Sequence, residues 1–294
     1  MDKHAFLVMA HNHFGILEKI IVLLDDDRND FYIHIDKKVK DFDFDKFKSL
    51  AKKSNVFFVD RSSINWGGYS QIKCELTLLK SALKGKYSYY HLISGVDMPL
   101  KSSDEIHKFF ELNSGKEFVH FSRQEDFNSG IYDRFNKYHF LQEHCKSNNL
   151  INQCERVLLK IQSILGVNRN KDNDIRFGFG SNWFSITHEL ADYVVSNEQM
   201  IYKLYKNSAC CDEIFLQTLV LNSDFKNRLF YVNDDGDYYS CVRFIDWKRG
   251  NPYVFKKEDY NDLINSKCMF ARKFDLSLDK DIVELIFKHL KREV

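Results

Sequence analysis

The N-terminal third of the chain alternates short apolar runs with helical stripes, and this alternation constrains the fold more than any other feature. Residues 4–11 (HAFLVMAH), 30–36 (DFYIHID), 55–60 (NVFFVD) and 87–95 (YSYYHLISG) read as buried strands. Between the first two lies an apolar stripe of Ile16, Leu17, Ile20, Ile21, Leu23 and Leu24, and a helix is expected near Phe44–Lys53. Tyr69, Ile72, Leu76, Leu79 and Leu83 recur at spacings of three and four, the pattern of an amphipathic helix. Strands alternating with helices at this pitch imply βαβ units and a mostly parallel sheet. Right-handed crossovers place the loops that follow the strands on one edge, where open α/β sheets bind ligands. Those loops are His11–Phe14, Asp36–Lys38, Arg61–Gly68 and Ser94–Leu100, all polar or glycine-bearing.

The second half is less regular. A helix is expected over Asn148–Leu165, a strand at 181–187 (SNWFSIT), and helices at His188–Lys206 and Asp212–Leu221. The stretches 227–232 (NRLFYV) and 269–275 (MFARKFD) look strand-like, and Lys280–Lys291 closes the chain as an amphipathic helix. In that helix Ile282, Leu285, Ile286 and Leu290 oppose Lys288, Lys291 and Arg292. Packing on the core is the plainer reading of this stripe, and peripheral contact with a membrane surface is the other.

Composition narrows the class. Hydrophobic residues make up 44% of the 294, enough for a sizeable core, and two prolines and 12 glycines leave no linker to divide the chain, so a single domain is expected. Lys plus Arg (43) nearly balances Asp plus Glu (42), which argues against a nucleic-acid partner held by a global positive field. Seven cysteines, an odd number without a CxxC pair, favour reduced thiols over a zinc or disulfide framework. With no signal-peptide pattern at Met1–His4 and no apolar run of about 18 residues, a cytoplasmic protein is expected, with membrane association left open.

Several residues could carry chemistry. Asp212 and Glu213 stand where a helix is expected to start, so capping is their plain role. If FARKFD (270–275) is extended, Phe270, Arg272 and Phe274 share one face and Lys273 the other; Lys273 would then be a surface lysine or, if it faces a cleft, a phosphate ligand. DxD patterns occur in Asp25–Asp27 and Asp234–Asp237, each read as a turn that could alternatively hold a cation. His11 and His34 flank strands, Asp36 ends one at the binding edge, and Trp66 and Trp183 could stack on sugar rings or fill core.

Seven segments, taken in order, resemble the core-2/I-branching glycosyltransferase family of β-1,6-N-acetylglucosaminyltransferases and peptide O-xylosyltransferases. They are FLVMAHN (6–12), FYIHIDKK (31–38), NWGGYS (65–70), YYHLISGVDMPLKS (89–102), GSNWFSIT (180–187), DEIFLQTL (212–219) and FARKFD (270–275). The run from 245 to 274 is more similar to the xylosyltransferase branch. The resemblance implies an α/β GT-A-type fold with a Rossmann-like, mostly parallel central sheet flanked by helices. Within one domain, about 1–120 would bind the nucleotide sugar and about 121–294 would hold the acceptor and catalytic half. It also implies inverting, metal-independent transfer from a UDP-sugar, with no cofactor. Glu213 would be the general base and Lys273 would bind the diphosphate, joined by a second basic residue among Arg243, Lys248 and Arg249. Met9 and His11 would line the uridine site, Asp36 would contact the nucleoside, and Asp97 and Trp183 would lie on the acceptor side. The chain departs from the animal enzymes in lacking their anchor, stem and disulfide pattern, which favours a glycan or lipid-linked glycan acceptor in surface polysaccharide synthesis. Two alternatives stand beside this reading: a metal-dependent transferase using Asp235 and Asp237, and a nucleotide- or sugar-binding protein without catalysis.

Overall fold

The computed structural model describes residues 3–123, 127, 129–231 and 238–291. The chain begins with β1 (His4–Ala10), α1 (Phe14–Leu23), β2 (Asn29–Ile35), α2 (Phe44–Leu50), β3 (Asn55–Phe58), α3 (Tyr69–Ala82) and β4 (Tyr89–Ser94). It continues with β5 (Met98–Pro99), α4 (Ser103–Leu112), β6 (Phe118–Val119), α5 (Ser129–Asn136), α6 (Gln142–Cys145) and α7 (Asn149–Ile164). Next come β7 (Phe184–Thr187), α8 (His188–Ser196), α9 (Glu198–Tyr205), a 3-10 turn at Cys211–Glu213 and α10 (Phe215–Leu221). The chain closes through β8 (Arg243–Ile245), α11 (Tyr260–Ile264), β9 (Phe270–Arg272) and α12 (Lys280–Lys291).

Strands β2 and β4 are buried at every position and β1 at all but one, because helices cover both faces of the sheet; this is why their sequences are nearly continuous apolar runs. The six-stranded sheet has the order β3-β2-β1-β4-β7-β6. Its first four strands are parallel, and β7 and β6 add on antiparallel. The expected Rossmann-like α/β arrangement is therefore the one observed. On one face Phe6, Val8, Phe31 and Ile33 pack with α1 and α12; on the other Ala5, Leu7, Tyr90 and Leu92 pack with α3 and α8. The chain moves outward from β1 to β3, then returns through α3 to pair β4 with the opposite side of β1. That reversal is a topological switch point, and it opens a crevice at the carboxyl ends of β1 and β4.

Some expectations need revision. The helix expected over His188–Lys206 is two helices meeting at Asn197, which ends α8 and begins α9. The strand expected at 227–232 is a 3-10 turn over Asp224–Arg228 followed by one bridge from Leu229 to Glu117, and Val232 lies outside the described residues. On α12, Ile282, Val283, Ile286 and Leu290 are buried against the core, so its apolar stripe is spent on packing and is not available to a membrane. Among the described residues no helix is long and apolar enough to cross a membrane.

Candidate functional site

A cavity of about 1100 Å³ opens at the switch point. The carboxyl ends of four strands and their loops reach its wall: Met9 near the end of β1 and His11 after it, Asp36 and Lys38 after β2, Ile64 to Trp66 after β3, and Ser94 at the end of β4. The far side is built from Arg134 of α5, Phe179–Trp183, Cys210, Asp212, Glu213 and Arg272.

Glu213 reaches the cavity because its turn is stitched to neighbouring chain. Gly180 N–H donates to the Glu213 carbonyl at 2.9 Å, and a Cβ at Gly180 would stand 1.9 Å from the His120 carbonyl oxygen, so only glycine fits. The buried Gln217 amide, one turn into α10, donates to the His120 and Ser181 carbonyls at 3.1 and 2.7 Å. Thus residues of GSNWFSIT and DEIFLQTL hold one another in place. Glu213 is half-buried, and its Oε2 accepts from Arg134 Nη1 at 2.7 Å. Burial raises its carboxyl pKa, opposed by the Arg134 charge.

Asp212 also lines the cavity, more deeply, and accepts from the Gln71 amide at 2.8 Å. Burial, then the charge of Glu213, push its carboxyl up to about 7. Arg134 opposes the rise at both carboxyls, and the charge of Glu213 adds to the rise at Asp212. One helical turn beyond Gln71, Glu75 is fully buried, and neither carboxyl oxygen meets a hydrogen-bond partner. Burial and the nearby Asp212 raise its pKa well above the ordinary range, overriding a weaker opposing influence of Asn182, which keeps Glu75 neutral. A line of acids therefore runs from the cavity into the sheet–helix interface, the pKa of each raised by burial.

The basic wall differs from expectation. Arg272, not Lys273, faces the cavity. Its guanidinium donates to Asp97 Oδ1 at 2.8 Å and lies 4.3 Å over the Trp183 ring. Asp97 is buried below, accepting from the Ser94 hydroxyl and amide at 2.6 and 2.9 Å, so it holds Arg272 and does not itself line the cavity. Trp183 lines the cavity with one face covered by Arg272. β9 ends at Arg272, so strand alternation stops before Lys273, whose half-buried side chain is absent from the wall and whose carbonyl accepts from Phe255 N–H.

Neither arginine proposed as its partner is on the wall. Arg243 is 1% exposed and pins the two sheets together: it donates to the Leu92, Phe184 and Cys241 carbonyls at 3.1, 2.8 and 2.6 Å and stacks over Phe270. Arg249 pairs with Asp246 and Asp259 at 2.5 and 2.6 Å and stacks on Tyr253, away from the cavity.

At the end of the cavity beside β2, Asp36 accepts from Lys38 N–H at 2.8 Å and Ile64 N–H at 3.3 Å. The His11 imidazole is held below its ordinary pKa by desolvation, against Asp36 and with Arg272 and Lys38 reinforcing. His34 is buried and accepts from Ser62 N–H, a structural role. Asp25 accepts backbone N–H groups of Lys52, Lys53 and Ser54, and Asp26 pairs with Arg28, so that DxD is a loop anchor. Asp234, Asp235 and Asp237 lie outside the described residues. Among the described residues, no three His, Cys, Asp or Glu side chains converge to hold a metal ion.

A sequence model of the core-2/I-branching enzymes matches residues 4–265. The chain belongs to that family. Among similar proteins, the xylosyltransferase sqv-6 of Caenorhabditis elegans is 24% identical over 277 residues, covering 86% of this chain and 32% of the relative. Rat xylosyltransferase 2 is 23% identical, covering 97% of this chain and 33% of the relative. A human β-1,3-galactosyl-O-glycosyl-glycoprotein β-1,6-N-acetylglucosaminyltransferase is 22% identical, covering 98% and 70%. The chain thus spans about a third of the length of the xylosyltransferases it matches. A solved structure of mouse xyloside xylosyltransferase 1 aligns over 92% of this chain and 97% of its own at a TM-score of 0.38 and 12% identity.

Proposed function

We propose that this chain is a glycosyltransferase that moves a sugar from a UDP-sugar to a hydroxyl of a glycan or lipid-linked glycan, by single displacement with inversion and without a divalent metal. The observation that carries the reading is the meeting, on one cavity at the switch point, of a carboxylate of raised pKa, Glu213, and a preorganised guanidinium, Arg272. In this reading Glu213 takes the acceptor proton as the acceptor oxygen attacks the anomeric carbon. A raised pKa makes it a stronger base, and Arg134 fixes its orientation. The bond from the anomeric carbon to the diphosphate breaks with its electron pair on the phosphate oxygen. Arg272, whose position is fixed by Asp97 before the donor arrives, takes up that charge. Lys273, to which the family resemblance gives this task, contributes if its ammonium turns into the cavity when the donor binds. Met9 and His11 line the uridine, Asp36 contacts the nucleoside, and Trp183 borders the acceptor.

The test is a panel of UDP-sugars scored by UDP release, with and without EDTA. Glu213→Gln is expected to bind UDP normally and to lose transfer by ~10²-fold or more, the usual worth of a general base. Retained transfer by that variant rejects the base assignment, and loss of wild-type transfer in EDTA rejects metal independence. UDP binding without turnover of any donor supports the non-catalytic alternative.

A further inference from the structure

Helix α7 presents its apolar stripe to solvent. Leu150, Val157, Ile161 and Ile164 are 71%, 59%, 47% and 76% exposed, and Leu158, Leu165 and the thiol of Cys154 are exposed beside them. At 100° per residue these positions fall within an arc of about 120°. The opposite side of the helix packs on the protein: Glu155, its one acid, is buried there and accepts from Leu141 N–H, and Gln162 exchanges hydrogen bonds with the Tyr138 backbone. An apolar arc of this extent left uncovered marks an interaction surface.

The charges on the helix identify what covers it. Its exposed charged residues are Arg156 and Lys160, both basic and both on one flank of the arc. Lys146, three residues before the helix, is exposed on the rim of the cavity and stacks over the exposed Trp66 ring. A second copy of α7 would offer the same cations and no exposed acid of its own to pair with them. Lipid phosphates would complement them.

We propose that α7 is an interfacial helix that seats the protein on an anionic membrane surface, apolar arc down, with Arg156 and Lys160 at the headgroups. This is the mode of in-plane amphipathic helices. The inference stands on the exposed arc and its charges and does not depend on the transfer reaction.

Cosedimentation of the whole chain with phosphatidylcholine vesicles, with and without a third of phosphatidylglycerol, tests it. Binding is expected to the anionic vesicles, to weaken with added salt, and to fall at least tenfold in the Val157→Glu, Ile161→Glu double variant. Both side chains face solvent, so circular dichroism and the urea midpoint should match wild type. Lys160→Glu alone should also weaken binding. Three results overturn the proposal: no association with anionic vesicles, association unaffected by the double variant, or a dimer in light scattering that the double variant dissociates while vesicles stay unbound.

Discussion

Replacing Asp212 by Asn tests the electrostatics of the acid line through stability alone, without knowledge of donor or acceptor. An aspartate raised from 3.8 to about 7 has its charged form disfavoured in the folded protein. At about 1.36 kcal/mol per tenfold, that penalty is ~4 kcal/mol as a ceiling. Because the folded pKa lies above the unfolded one, the sign is fixed. The penalty is absent below about pH 4, where both states are protonated. It accumulates from pH 4 to pH 7 and is complete above that. Asp212 borders an open cavity and shares its titration with Glu213, so about half the ceiling, ~2 kcal/mol, is the expected yield. Asn also brings an offset that does not vary with pH, because its amide N–H₂ replaces an oxygen that accepts backbone N–H groups. The informative quantity is therefore the pH dependence of the difference. Urea unfolding followed by tryptophan emission should show the variant gaining ~2 kcal/mol on wild type between pH 4 and pH 8. A flat difference, or one favouring wild type at high pH, refutes the raised pKa of Asp212. Glu75→Gln is the companion: Glu75 keeps its proton in the folded protein while the unfolded carboxyl ionises from about pH 4.5, so this variant too should gain on wild type as pH rises above that.

Arg272→Lys keeps the charge but loses the guanidinium bond to Asp97 and the stack on Trp183, and should weaken UDP binding about tenfold by titration calorimetry while Lys273→Ala changes it less. Arg243→Met should lose ~3 kcal/mol or more of stability in urea, because buried carbonyls lose their donor, yet bind UDP as wild type does when folded. Gly180→Ala should cost ~1–3 kcal/mol through its collision with the His120 carbonyl and depress transfer beyond that, since the same segment holds Glu213.

The parallel strands and their crossover helices were legible because burial on both faces writes a nearly unbroken apolar run, and half-buried helices write a three-and-four spacing. Strand β8, of three residues, and β5 and β6, of two each, are too short to carry any period. Helix α4 lies outside the expected elements although Ser102 and Glu105 form a capping box at its start. The four carboxyl-edge loops were legible as one edge of the sheet, where the cavity lies, because connectivity alone dictates where they emerge.

The site was legible at the level of segments and not of side-chain direction. FARKFD marks the right stretch, but one residue separates Arg272 on the cavity from Lys273 off it, and the end of β9 decides between them. Arg243 and Arg249 carry the same charge in the sequence, while one is a pin between sheets and the other is neutralised by two carboxylates; charge does not distinguish these fates, and burial and partners do. Arg134 has no local signal, since it meets Glu213 across 79 positions of chain. Glu75 looks like an ordinary polar residue within a helical stripe, and its significance appears only when Asp212 arrives from the far half of the chain to share its buried surroundings. The base role proposed for Glu213 calls for a neighbour that supports its charge and an environment that resists it. Glu213 has Arg134 for the first and burial for the second, and both are supplied by residues distant in sequence.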